Sequence, residues 1–540
     1  MKKLLTFAVM AVFLATTGLF AQTMVIHANQ GNLNEIIMQD TLSDGSLAHS
    51  VYQLVTLDTT YKFTGPITIK SNVTIEGVVD PSTGRPPCIQ PAVLQDGSIP
   101  PTPFTISGAN IKVNLKNLYI LSKATNNTSN GGGIAVQVSA DKVKLTVDNC
   151  VFDGWQTFAI GYNGQWDDFF VTNSTFRNLV HPNQWYIGEV IRNEWPGEAY
   201  TDSMVFVGNT MLAINGYAAC PVTKWYTKYF EFTDNKVLYT FKNPFFIFNL
   251  TDGKINGNIF YGNYAGGVDQ TENPWWDNLW YPDSSYGIIA LQPLSDDNKE
   301  MFNPADTSKA ESMRRIEVKN NTYFWPQELV DFWTAWNDTA SNKIFIPNWM
   351  NDRTVAMFND KTDYPNLVAE NNVNKDPGFM SEMDKDILHG TTGNDIGLLN
   401  YFVEIRTGKA ETDIWGYGIT QVGANADWTP AWPLPESSYI TAIEEYAGKE
   451  IPTAFTLSDV YPNPFNPNAS VRYTLDRAGR TSLKVYNILG QQVMTLVNNV
   501  YQAANTYKIT FNMSRFTSGT YFLVLEQNGR RLVRKMLLLK

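Results

Sequence analysis

One asparagine-centred theme recurs along most of this chain and limits what it can fold into. A short alternating strand runs into an Asn, and an apolar residue follows three positions later. The instances are Asn117 with Ile120, Asn149 with Phe152, Asn173 with Phe176, Asn209 with Leu212, Asn235 with Leu238, Asn258 with Tyr261, and Asn321 with Phe324. Before them, Val143, Leu145 and Val147 or Ile316 and Val318 alternate at period two, the mark of half-buried strands. Asn tolerates the left-handed backbone of a sharp corner, and its amide can bond nearby backbone. From Asn149 onward the intervals are 24, 36, 26 and 23 residues. A coil of roughly 20 to 25 residues, with loops inserted at a corner, yields such spacing, so the pattern points to a solenoid. Asn149, Asn173 and Asn235 are expected at equivalent corners of successive coils.

This rhythm resembles the right-handed parallel β-helix of pectin lyase-like proteins, in which short strands stack from turn to turn. A β-sandwich or propeller also uses short alternating strands, but the chain has no WD-type signature and no regular blade length. The expected class is all-β: a right-handed parallel β-helix followed by a small Ig-like β-sandwich. Residues 22–65 read as an N-terminal cap, since a solenoid must cover its open apolar end. The β-helix occupies 66–435, with insertions near 262–315 and 326–370 that are rich in Trp, Asp, Asn and Pro. Residues 436–450 read as a linker.

At the start, Lys2 and Lys3 precede an apolar run from Leu4 to Phe13 and a small-residue end at Ala21. That is the layout of a secretory signal peptide over residues 1–21. No later segment has the roughly 18 to 20 apolar residues of a spanning helix, so no integral membrane segment is expected in the mature chain. Aromatic residues make up 13% and charged residues 17%, which suits an extracellular β protein. The net charge of −11 argues against nucleic acid as a partner. Residues 451–540 hold 11 Lys and Arg against three acids, a balance of +8, which leaves −19 on the rest. Such asymmetry marks two separate units.

That basic C-terminal unit has the most specific motifs. It runs through Tyr461-Pro462-Asn463-Pro464-Phe465-Asn466-Pro467, Tyr486-Asn487-Ile488-Leu489-Gly490, Ser518-Gly519-Thr520-Tyr521 and the final Lys535 to Lys540. The succession resembles a type A sorting domain of the type IX secretion system over 451–540. The resemblance implies delivery to the periplasm, passage through the outer membrane, and release or attachment to surface lipopolysaccharide, with the secretion machinery as partner. The sorting-signal residues are Tyr461, Pro462, Asn463, Pro464, Phe465, Gly490, Gly519, Tyr521, Lys535 and Lys540. Alternation of Leu483 with Val485, and of Tyr521, Leu523 and Leu525, independently indicates a small sandwich.

Within the cargo no catalytic signature is complete. A sugar-cleaving β-helix needs an acid and base, or calcium-binding carboxylates, on one face of successive turns. The candidates are Asp167 with Asp168, Glu189 with Arg192 and Glu194, Lys224 with Lys228, and Arg177. No cofactor is expected, calcium excepted if the protein is a lyase. Four His without paired spacing, and no CxxC, give no metal site. Of the three cysteines, Cys88, Cys150 and Cys220, Cys150 reads as core filler. Aromatics are the better lead: Trp275, Trp276 and Trp280 lie beside Asp277 and Asp283 in the first insertion, as rings and carboxylates that hold a glycan would. Trp325, Trp333, Trp336 and Trp349 lie in or near the second, and packing of the loops is the competing role for all of them. The function expected is a secreted or surface-displayed protein that engages polysaccharide. A polysaccharide lyase or glycoside hydrolase is the alternative, and a structural adhesion protein the third reading.

Overall fold

The computed structural model describes residues 23–57, 59–80, 85–124, 126, 132–181, 187–193, 200–219, 227–245, 247, 250–266, 268–269, 287–340, 343–377, 440–446 and 454–539, apart from 478, 491, 503, 514, 515 and 528. Three parallel sheets run along the cargo. The first has eleven strands, from Thr23–Ile26 and Val51–Leu54 to Arg315–Lys319 and Leu367–Glu370. The second has ten, from Tyr61–Phe63 to Val373–Asn374, and the third five, from Ile67–Ile69 to Glu189–Asn193. A coil takes one strand from the first sheet, turns a corner into the second and, in the N-terminal half of the stack, continues into the third. Residues 144–148, 151–153 and 158–162 are one such coil, and 167–172, 175–179 and 189–193 are the next. The fold is a right-handed parallel β-helix.

Period-two alternation explains the interior. Val147, Val171, Phe206, Phe232, Ile255 and Val318 occupy one register position in successive strands and are all buried. Rings stack along the axis, with Phe152 on Phe176 at 4.9 Å and Phe232 on Phe260 at 6.3 Å between centroids. Each coil adds the same small apolar set, so a core forms only by stacking. Cys150 belongs to this core, and burial pushes its thiol up to about 12.

The corners differ from the expected single stack of asparagines. From Asn117 onward, each corner between the first two sheets has two residues. The first has a left-handed backbone: Asn117, Asn149, Asn173, Gly208, Asp234, Gly257, Asn320 and Asn371, with φ between 49° and 70°. The second turns inward: Leu118, Cys150, Ser174, Asn209, Asn235, Asn258, Asn321 and Asn372. Asn149 and Asn173 are therefore equivalent, whereas Asn235 is one position further on, level with Cys150 and Ser174. The same slip moves the apolar partner, because Phe176 aligns with Met211 rather than Leu212.

The inward asparagines form a ladder. The backbone N–H of Asn209 and its Nδ2 both donate to Oδ1 of Asn235, each at 2.9 Å. Asn235 repeats this toward Asn258, and Asn258 toward Asn321 at 3.0 and 2.9 Å. The other Nδ2 hydrogen of each amide goes to a strand carbonyl of the preceding coil, Val171, Phe206 or Phe232. Every amide is thus saturated inside an apolar coil, the condition for burying it without penalty.

The stretch read as a cap contributes the first two strands of the longest sheet, Thr23–Ile26 and Val51–Leu54. Helix Leu33–Gln39 buries Leu33 and Ile37 and packs on Tyr61–Phe63 and Ile67–Ile69, the first strands of the other two sheets. The two insertions pair with each other: Gly287–Ile289 runs parallel to Asn348–Met350. Their described tryptophans pack inward. Trp333 is 2% exposed and donates to the Ala265 carbonyl at 2.7 Å. Trp325 donates to the Asn263 carbonyl, and Trp349 lies flat on Tyr323 at 4.7 Å.

The C-terminal region has two antiparallel four-stranded sheets. One is ordered 440–446, 506–512, 468–474, 456–457, and the other 492–502, 479–487, 519–527, 530–538. Val471, Ile509 and Phe511 from one sheet share a core with Leu483, Val485 and Leu523 from the other, which makes a β-sandwich. The stretch 436–450, read as a linker, contains Ile440–Tyr446, and this strand pairs with Thr506–Asn512.

Candidate functional site

Of the charged groups singled out from the sequence, Glu189 and Arg192 come together. Both lie on strand Glu189–Asn193, the last of the five-stranded sheet. Arg192 Nη1 donates to Glu189 Oε1 at 3.1 Å and Oε2 at 3.3 Å. A third member, absent from the sequence reading, is Lys242, whose Nζ lies 3.5 Å from Oε1. The Gly216–Gly188 and Lys242–Asn215 backbone contacts stack three successive coils, with Glu189 and Arg192 on the first and Lys242 on the third. Gly216 makes the carboxylate's position possible, since a Cβ there would stand 2.1 Å from Glu189 Cγ. The Glu189 side chain is fully buried, that of Lys242 is 8% exposed, and that of Arg192 is 24% exposed. A carboxylate at such depth is tolerated because cations hold it. Rings line the cations: Lys242 Nζ is 4.2 Å from the Tyr217 centroid, and the Arg192 guanidinium is 5.7 Å from that of Phe158. Glu194 lies outside the described residues. Lys242 follows no motif, and only its coil spacing, 26 residues after Gly216, links it to the site.

The other candidates do not converge with it. Asp167 and Asp168 are neighbours on one strand and so point to opposite sides. Asp168 is half-buried on the outer face, opposite Lys144. Asp167 is fully buried: Oδ1 accepts from the Val143 N–H at 2.8 Å, while Oδ2 has no hydrogen-bond partner among the described residues. Burial, reinforced by Asp141, Asp168 and Asp202, pushes its carboxyl up to about 8. Arg177 is a buried strut. Its Nε donates to Asp153 Oδ2 at 2.7 Å, and that oxygen also accepts from Tyr119 Oη at 2.9 Å. Lys228 pairs with Asp202 and lies 4.4 Å from the Trp166 ring. Lys224 lies outside the described residues. So do Trp275, Trp276, Trp280, Asp277 and Asp283, the five glycan-binding candidates. Among the described residues no three His, Cys, Asp or Glu stand together as a metal site.

In the sandwich, motifs far apart in sequence meet. The lead-in segment lies along the last strand, Arg530–Leu538. Asn463 Nδ2 donates to the Lys535 carbonyl at 3.2 Å, and the Leu537 N–H donates to Asn463 Oδ1 at 2.9 Å. The Phe465 N–H donates to the Leu537 carbonyl, and the Leu539 N–H to that of Phe465, both at 3.0 Å. Phe465 is buried, edge-on to Phe511. The Tyr461–Pro462 and Asn463–Pro464 bonds are cis. Register places Asn487 opposite Tyr521, Tyr521 opposite Met536, and Gly519 opposite Leu538. The Asn487–Gly490 turn, Gly519, Tyr521 and the lead-in segment thus share one end of the sandwich. Gly490 has φ of +75°, as its turn requires, whereas Gly519 at +159° is close to extended. Tyr521 is buried, and its hydroxyl donates to the Thr517 carbonyl at 2.7 Å. Lys535 is exposed on the last strand, and Lys540 lies outside the described residues.

Residues 459–539 match the family described as the secretion system C-terminal sorting domain. No curated protein and no solved structure matches the chain. The C-terminal sandwich is therefore a sorting domain that directs export by the type IX secretion system, to the medium or to the outer cell surface. No described helix is long and apolar enough to cross a membrane.

Proposed function

We propose that the β-helix is the cargo of this export route and engages polysaccharide outside the cell, with sugars that bear carboxylates held at Arg192 and Lys242. The observation that supports this reading is the Glu189 constellation: one buried carboxylate and Arg192 on one coil, Lys242 two coils further on, with Tyr217 and Phe158 beside the cations. Guanidinium and ammonium groups recognise carboxylates, and aromatic rings take the apolar faces of pyranoses. Rigid stacked coils hold such groups at fixed distances, which favours binding by reducing the ordering cost. The route begins at the signal peptide of residues 1–21. Trp275, Trp276 and Trp280, with Asp277 and Asp283, belong to the proposal as further stacking and hydroxyl-bonding positions.

The test uses the full exported chain against uronate-containing and neutral polysaccharides, with and without calcium, scoring retention and cleavage separately. Uronate polymers should be retained, and Lys242→Met should weaken retention severalfold, as loss of one charge-assisted contact does. Trp276→Ala should weaken it by a similar factor without lowering the melting temperature. Cleavage that Glu189→Gln abolishes, with retention kept, would make the protein a lyase or hydrolase. Retention of no polymer in the panel would remove the polysaccharide reading.

A further inference from the structure

The same end of the sandwich that gathers the sorting motifs also exposes its largest apolar side chains. Tyr461 is 78% exposed, Ile488 71%, Leu489 77% and Leu539 49%. They come from three segments separated by tens of residues, yet the pairing of Phe465 with Leu538 and of Asn487 with Tyr521 brings them to one tip. Neither Ile488 nor Leu489 belongs to the described core of the sandwich. Their turn is held by Asn487, whose Oδ1 accepts from the Leu489 N–H at 3.0 Å and whose carbonyl accepts from the Gly490 N–H at 3.0 Å. Gly490 supplies the positive φ that closes the turn. A polar pair would satisfy the same turn, so two adjacent aliphatic side chains held outward by a fixed backbone mark a contact surface rather than a core. The surrounding unit is basic, +8 over residues 451–540, and Lys535 stands exposed at this end of the last strand.

We propose that this tip is the docking surface of the sorting domain: Ile488 and Leu489, flanked by Tyr461 and Leu539, insert into an apolar pocket with an acidic rim on a component of the export machinery. The inference rests on the sorting role of residues 459–539. The turn is preorganised, so little ordering entropy opposes insertion. The two aliphatic side chains form the apolar centre, and the basic surround gives charge complementarity that orients the approach. Because Asn463 and Phe465 clamp the last strand, the tip exists only when both ends of the domain have folded together. The receptor would thereby read a completed sandwich and not an unfolded tail.

The test expresses the full chain in a bacterium with a working type IX system and measures its distribution between periplasm and exterior. Ile488→Asn with Leu489→Asn should melt like the parent, since both sites are exposed, while external protein falls roughly tenfold and periplasmic protein rises. Val533→Asn, an exposed apolar site in the middle of the last strand, should export normally. If the double variant melts early, Tyr461→Ser takes its place, and retention in the periplasm is again the expected result. Normal export of a stable tip variant overturns the docking surface and leaves the sorting role intact. Export of a chain lacking 436–540 overturns the sorting role itself.

Discussion

Asn258 is the residue on which the corner argument can be tested most directly. Its Oδ1 accepts two hydrogen bonds from Asn235, and its Nδ2 donates to Asn321 and to the Phe232 carbonyl. Replacing it with Leu leaves two buried donors and two acceptors short of a partner, a loss of about 2–4 kcal/mol. Asn149 is left-handed but exposed at the corner surface, where its Nδ2 donates to Asn117 Oδ1 at 2.8 Å. Ala there should cost about 1 kcal/mol, through left-handed strain. Denaturant titration of both variants checks the difference, and equal losses would contradict the ladder. The asparagines themselves were legible in the sequence, but their register was not. Asn fits the left-handed site and the inward site equally well, so a shared letter hid two roles. The discriminating signal was the preceding residue: Gly208, Asp234 and Gly257 are left-handed formers, each placed before an inward Asn.

Asp167 adds a pH dependence at the same scale. Its carboxyl titrates near 8 in the fold and near 3.9 when unfolded, so the folded chain holds the extra proton between those values. The stabilising contribution is present in full below about pH 4 and is lost as pH rises toward about 8. Asp167→Asn keeps a neutral group in place, so its melting temperature should exceed the parent's at about pH 9 by more than at about pH 5. Parallel melting curves for the two proteins across that range would show that the buried carboxyl is not protonated.

At the scale of elements, strands were the easiest feature to read and the covering of their faces the hardest. Alternation located Lys144–Asp148, Arg315–Lys319 and Gly519–Gln527 because one side faces a core and the other is more exposed. Strands Phe158–Tyr162, Thr175–Leu179 and Thr210–Ile214 are buried on both sides, so Arg177 and Asn178 sit inside and alternation fails there. Glu189 and Arg192 were visible as a local pair, whereas Lys242 joins them through stacking across coils, which no local pattern encodes. The Asn463 clamp is likewise non-local, since it ties the lead-in segment to a strand more than 70 residues away. Asn463→Ala removes two hydrogen bonds at an exposed edge and should destabilise the sandwich by about 1–2 kcal/mol. Hydrogen exchange of the Leu537 amide should accelerate in this variant. Unchanged protection would mean that the Phe465 backbone bonds alone fix the lead-in segment to the last strand.

For the whole molecule, two units with opposite charge balance, −19 and +8, carry separate tasks, and the boundary between them decides how they can be cut. Charge balance began the second unit at residue 451 and proline spacing ended the cargo at 435, with a linker between. The strand Ile440–Tyr446 in that linker, however, pairs with Thr506–Asn512 and so belongs to the sandwich sheet. A cut after residue 450 therefore leaves the cargo with an unpaired strand and the sandwich with an exposed edge, a combination that favours association between copies. A cut after Pro435 avoids both. The chain ending at Pro435 should be soluble and strand-rich, with a single cooperative melt, because its coils bury a continuous core of their own from Ile26 to Leu367. The chain ending at residue 450 should share that core but aggregate at lower concentration, as light scattering would register. In a cell, both lack the sorting sandwich and both should remain in the periplasm. Monomeric behaviour of the longer fragment would show that Ile440–Tyr446 has no strand role outside the sandwich. Aggregation of the shorter one would mean that the β-helix depends on the sandwich, and that the two units are not separable in folding.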